Sequence, residues 1–235
     1  MGEEKAVTAA LNGYPFDMAT SSSAPVPDPA PAPSRVVFLL SPAHCGGRRA
    51  EILFREEASF PLAVRLRDSG VTIGEVFSFL SGLYFRGKLA YAREFARPPA
   101  GAPEGALVIT PGRGLLPPDT VVTLEDLRVI AGIGVDPEEP RFREPLERDA
   151  ASLAPFLTGE DAVVLLGSIA TGKYVDVIEE HLDGRLRFPS EFVGRGDMSR
   201  GGLMLRAAGA GEELRSVPVK GAVRHGARPP KLAPK

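Results

Sequence analysis

Three times the chain runs through a short, unbroken apolar stretch and then opens into a polar loop rich in glycine. Residues 35–40 (RVVFLL) lead into SPAHCGGRR, residues 105–110 (GALVIT) into PGRGLLPPD, and residues 162–166 (AVVLL) into GSIATGKY. A strand with one face to water alternates apolar and polar residues. A continuous apolar run is the pattern of a strand buried on both faces, as in a parallel sheet. Helical patterns separate the runs. Alternating strand and helix predicts a single α/β domain, a mainly parallel sheet with helices on both faces. Ligands of such sheets bind beyond the carboxyl ends of the strands. The three loops, with the one after a short strand at 185–188, are therefore expected along one edge.

The helices between carry their own signals. Thr72 is a fair N-cap with Glu75 three residues on, so a helix is expected over 73–83, burying Val76, Phe77 and Leu80. A second is expected over 84–96, with Leu89, Ala92 and Phe95 inward and Arg86, Arg93 and Arg97 on the other side. Pro61 suits the first turn of a helix over 60–68, and Thr123 starts a short one. Residues 144–156 and 173–182 read as further helices, the latter ended by Asp183-Gly184. Residues 203–208 allow a helix and 214–219 an edge strand.

Residues 1–34, with APVPDPAPAPS at their end, have the composition of a disordered segment, because alternating prolines favour extended backbone and prevent helix. The α/β domain is read as 35–218 and a basic flexible tail as 219–235. From Leu214 onward there are six Lys/Arg and no acidic residue, although the whole chain of 235 residues carries a net charge of only −2. Cys45 is the sole cysteine, which excludes an intrachain disulfide and fits a reducing compartment. No apolar run approaches the ~20 residues needed to cross a membrane, so a cytoplasmic protein is expected. No cofactor and no metal site are read: His44, His181 and His225 offer no ligand spacing.

The sharpest motif is Gly167-Ser168-Ile169-Ala170-Thr171-Gly172-Lys173, which has G-x-x-x-x-G-K spacing. In a nucleotide-hydrolysing loop the next residue is a Ser or Thr that binds Mg²⁺. Here it is Tyr174, and the following strand, RLRF, lacks an apolar run ending in Asp. Two readings stand: a strand-to-helix turn that needs two glycines, or an anion anchor at a helix N-terminus, with Ser168, Thr171 and Lys173 as contacts. Ser41, His44, Cys45 and Arg48 follow the first strand. His44 is the residue there suited to proton transfer. Cys45 beside Arg48 and Arg49 reads either as an activated thiol or as an inert one at a strand end. Gly112-Arg113-Gly114 and Gly194-Arg195-Gly196-Asp197 each set an Arg between glycines. That pattern suits close approach to phosphate or carboxylate, and equally a tight turn with a solvated arginine. Asp197 is a second acid/base candidate.

The order of LLSP at 39–42, LYFRGKLAYA at 83–92, VITPGRGLLPPD at 108–119 and the later Gly-Lys-Tyr turn resembles a loose group of uncharacterised bacterial proteins. That group is similar to the YaaA-like proteins and to the C-terminal part of archaeosine synthase. The likeness spans residues 36–188 as short motifs. It departs from the pattern at Arg113, where the group often carries an aromatic residue. It implies an α/β fold and a link to nucleobase or nucleic-acid chemistry, and it transfers no catalytic residue.

The sequence thus supports a pocket for a phosphate-bearing or nucleobase-like ligand. The binding residues would be Ser41, Arg48, Gly112, Arg113, Gly167, Ser168, Thr171, Gly172, Lys173 and Arg195, with His44 and Asp197 for proton transfer. The alternative is a noncatalytic module that meets nucleic acid or a protein through the basic helix and tail. An enzyme should gather His44, Arg113, Lys173 and Arg195 around one cleft. A nucleic-acid module should join Arg86, Arg93, Arg97 and the tail in one basic surface.

Overall fold

The computed structural model describes residues 33–230 and Leu232. Of the segment expected to be disordered, residues 1–32 lie outside the described residues, as do Lys231 and residues 233–235 of the tail.

The chain is a mixed α/β protein. Its main sheet has six strands in the order β4-β3-β1-β6-β7-β8. The strands β1 (Val36–Leu40), β3 (Ala106–Thr110), β6 (Ala162–Leu166) and β7 (Leu186–Pro189) run parallel. The edge strands β4 (Gly114–Leu116) and β8 (Ser216–Pro218) are antiparallel to their neighbours. A separate two-stranded ribbon pairs β2 (Val71–Thr72) with β5 (Val121–Val122).

The three apolar runs are the three central strands, and β1 sits between the other two. Strands β1 and β6 are buried along their whole length. Their side chains alternate between two cores. Val36, Phe38 and Leu40 pack in a cluster with residues of α1 (Arg48–Leu53), α2 (Pro61–Asp68), α3 (Ile73–Ser81), α4 (Leu83–Phe95) and α8 (Asp197–Ala210). Val37 and Leu39 pack in a second cluster with α6 (Pro140–Leu153) and α7 (Val175–Leu182). The absence of alternation in the sequence follows: both sets of side chains leave water.

Several elements differ from the sequence expectation. The segment 111–119 is a hairpin that returns as β4, and the Leu115 N–H is held by Asp149 Oδ2 of α6 at 2.7 Å. Its turn requires left-handed backbone at Gly112 and Gly114 (φ 79° and 75°), which glycine adopts without a steric penalty. Helix α7 starts at Val175, so Lys173 lies in the turn before it. Helix α8 starts at Asp197 and runs to Ala210, longer than 203–208. Thr72 and Thr123 cap α3 and α5 (Leu124–Ala131), and the Thr123 N–H donates in return to the Asp126 carboxylate.

Candidate functional site

The parallel strands bring the loops after β1, β3 and β6 to one edge, where a cavity of about 460 Å³ opens. Ser41, His44 and Cys45 line it from the β1 loop, Ser168, Lys173 and Tyr174 from the β6 loop, and Asp197 from the start of α8. Ile130, Ile133 and Val135, at and after the end of α5, form an apolar wall, and Tyr84 of α4 adds an aromatic one. The lining therefore combines polar and apolar side chains, as sites for organic ligands commonly do.

Ser41 is the first residue beyond β1 and is only 4% exposed. Its N–H donates to Leu166 O at 3.3 Å, which carries the β1–β6 pairing one step past the strand. Gly167 lies against it: a Cβ there would sit 2.9 Å from Ser41 Cβ, so this glycine is required by close approach. Beneath Ser41 lies Lys88, fully buried on α4. Its Nζ donates to both Ser41 O and Ser41 Oγ at 2.8 Å. The ammonium also sits 4.0 Å from the centre of the Tyr84 ring and 5.3 Å from that of Phe85, where the ring faces attract a cation.

The same face of α4 carries a close helix crossing. Gly87 and Gly201 meet where α4 and α8 touch, and a Cβ on Gly87 would lie 2.6 Å from Gly201 O. Two glycines let the backbones approach closely. Their sequence neighbours, Lys88 and Arg200, are thereby buried near one another. Arg200 donates to Phe192 O from Nε at 3.2 Å and Nη2 at 3.0 Å. Burial drives the Lys88 pKa down to about 7; Asp197 opposes this shift, while Arg200 and Lys173 add to it. Burial likewise pushes the Tyr84 phenol up to about 12, against the opposing effect of Arg200 and the Ser41 hydroxyl beside it. Tyr174 is also shifted upward by burial, offset in part by the Ser41 hydroxyl.

Of the residues expected at the site, Ser41, His44, Ser168, Lys173 and Asp197 share the cavity. Gly167 supports it from behind Ser41. Arg113 forms an ion pair with Asp126 at the start of α5. Arg195 donates to Ser199 Oγ and Pro230 O, each at 3.3 Å. Arg48, Gly112, Thr171 and Gly172 are not among the lining residues. Two of the four residues expected around one cleft, His44 and Lys173, thus line it. In the G-x-x-x-x-G-K turn, the Asp176 carboxylate occupies the space a Cβ on Gly172 would fill. An internal carboxylate already stands at this helix N-terminus, where a bound anion would be expected. Cys45 lines the cavity, but burial raises its thiol to about 11, so it stays protonated near neutral pH.

Of the arginines expected as one stripe, Arg93 on α4 pairs with Asp119 at 2.7 Å, whereas Arg97 lies beyond the helix end at Phe95, bridges Val36 through its backbone and pairs with Glu213 at 2.9 Å. Glu147, Glu180 and His181 hold potential ligand atoms within 4.8 Å of one another, and Arg143 bridges the two carboxylates.

Sequence reasoning passed over Lys88. The signal was present: Tyr84, Lys88, Tyr91 and Phe95 follow i, i+4, i+7, i+11 spacing, so the lysine stands in the apolar stripe of its helix. Reading α4 for its exposed arginines drew attention to the wrong face. Comparison of the chain with protein-family models, curated proteins and solved structures finds no match.

Proposed function

We propose that residues 35–218 form one α/β domain, with helices on both faces of the sheet, whose carboxyl edge binds a small phosphate-bearing or nucleobase-like ligand. One observation carries this reading. Loops from three parallel strands converge on one cavity whose lining combines Lys173 and Ser168 with apolar and aromatic residues. Lys173 and Ser168 offer donors to an anionic group, and Tyr84 with the Ile130–Val135 wall offers a surface for a planar or apolar body. His44 and Asp197 are the exposed acid/base groups beside it. The position next to β1, where the strand order reverses between β3 and β6, is where ligands of such sheets bind. Ion pairing of Arg93 and Arg97 weakens the alternative of a nucleic-acid surface on α4.

The test is a thermal-shift series with nucleotides, nucleobases and sugar phosphates, on the wild type and Lys173→Ala. A ligand near 100 times its Kd raises Tm by about 5 °C or more for a domain of this size. The shift should shrink sharply in Lys173→Ala. An unchanged shift in that variant, or none with any anion, would sink the reading.

A further inference from the structure

We propose that Ser41 and Lys88 are a nucleophile and general base for acyl transfer, acting on an ester or amide that carries an anionic group. The assignment deepens the ligand-pocket reading and rests on it for the substrate's anion.

The geometry has three parts. Ser41 lines the cavity, the place where the proposed carbonyl would sit. Lys88 Nζ is 2.8 Å from that Oγ and has no exposure of its own, so it acts on ligand only through the serine. Its second bond, to Ser41 O, needs one N–H and leaves the lone pair of a neutral amine free for the Oγ proton. The hydroxyl also donates to Leu166 O at 3.4 Å, a weak bond, and the Tyr84 and Tyr174 side chains lie close to it. A neutral amine is reachable near physiological pH because burial lowers the Lys88 pKa to about 7. The groups that face it are Tyr84 on its own helix, Asp197 and Arg200 on α8, and Lys173 in the β6 loop.

In the first step Oγ bonds to the carbonyl carbon while its proton passes to Nζ. The bond from carbon to the leaving oxygen or nitrogen then breaks, and the ammonium protonates that atom. Water attacks the acyl-serine, gives its proton to Nζ, and the carbon–Oγ bond breaks with return of that proton to Oγ. The acid is released and both residues are restored.

The full chain is treated with a fluorophosphonate, a serine-directed reagent, from pH 5.5 to 8.5 and read by intact mass and peptide mapping. One adduct is expected, on Ser41, absent in Ser41→Ala, with a rate that rises through about pH 7 to a plateau. Lys88→Met should react about 100-fold more slowly. Lys88→Arg, still a donor but unable to take a proton, should be as slow. Failure of wild type to label on Ser41 overturns the assignment, as does a Lys88→Met rate equal to wild type in a folded variant. If Lys88→Met does not fold, the wild-type profile decides, and a rate independent of pH overturns it. Repeating the labelling with inorganic phosphate separates the two readings. A Ser41 adduct unaffected by phosphate supports the pair and removes the anion site. Phosphate binding without an adduct removes the pair alone.

Discussion

The loops after β1 and β6 follow adjacent strands of the same kind, yet their polar groups live in different surroundings. The β6 loop has a recognisable spacing, with an exposed Thr171 and a half-buried Lys173. The β1 loop has no recognised spacing. It begins with a serine that is nearly buried and held by a lysine fully out of water. Spacing brought the first to notice, and packing gave the second its chemistry. A charged group at a loop surface stays in contact with water. One forced into the core must shift its protonation or find partners, and Lys88 does both.

The comparison breaks first at Lys88. Between about pH 7 and 10.5 the unfolded chain holds a proton on this lysine that the folded chain does not. Its buried ammonium therefore destabilises the fold fully below pH 7, and stability rises with pH across that window. The unfolding free energy of wild type minus that of Lys88→Met should climb by up to about 1.4 kcal/mol per pH unit. Denaturant titrations at pH 7, 8 and 9 measure it. A difference that stays flat would mean the amine is solvated, and the contrast between the loops would vanish.

Cys45 tests the same contrast by rate. With its thiol raised to about 11, iodoacetamide at pH 8 should modify it about 100-fold more slowly than an exposed cysteine. Reaction at the exposed rate would show that burial does not govern the β1 loop.

Two glycines sharpen the comparison further. Gly201→Ala places a Cβ 2.7 Å from Leu83 O and 2.8 Å from Tyr84 Cα, both backbone. It should cost about 1–3 kcal/mol by forcing α4 and α8 apart. For Gly172→Ala the three atoms nearest the new Cβ all belong to the carboxylate of Asp176, an exposed side chain that can move aside. It should change stability by about 0.5 kcal/mol or less. Chemical denaturation of both variants tests the pair. Equal costs would mean that the α4–α8 crossing is not the tighter contact.

The loops separate in legibility as well. Runs such as VVFLL and AVVLL were readable because a strand buried on both faces leaves no alternative pattern, and capping threonines marked their helices. The hairpin at 111–119 was hidden because its glycines look the same in a turn as in a ligand loop, and only pairing with β3 decides between them. Helix α8 was cut short because Gly201 and Gly202 lower helix propensity, while the close crossing with α4 requires Gly201. Arg113 and Arg195 were expected to face a ligand. A residue name carries no record of its partner, and here the partners are Asp126 in one case and Ser199 and Pro230 in the other.

By itself the sequence determined a mostly parallel sheet with β1, β3 and β6 as its buried strands, and the edge at which their loops would gather. Both follow from local periodicity and from the tendency of apolar runs to leave water. Only the tertiary structure decided which polar groups meet at that edge. Ser41 and Lys88 lie 47 positions apart and touch because α4 packs against β1, whose end carries Ser41. That contact depends on how a helix docks on a strand far from it in the chain, which no local pattern encodes.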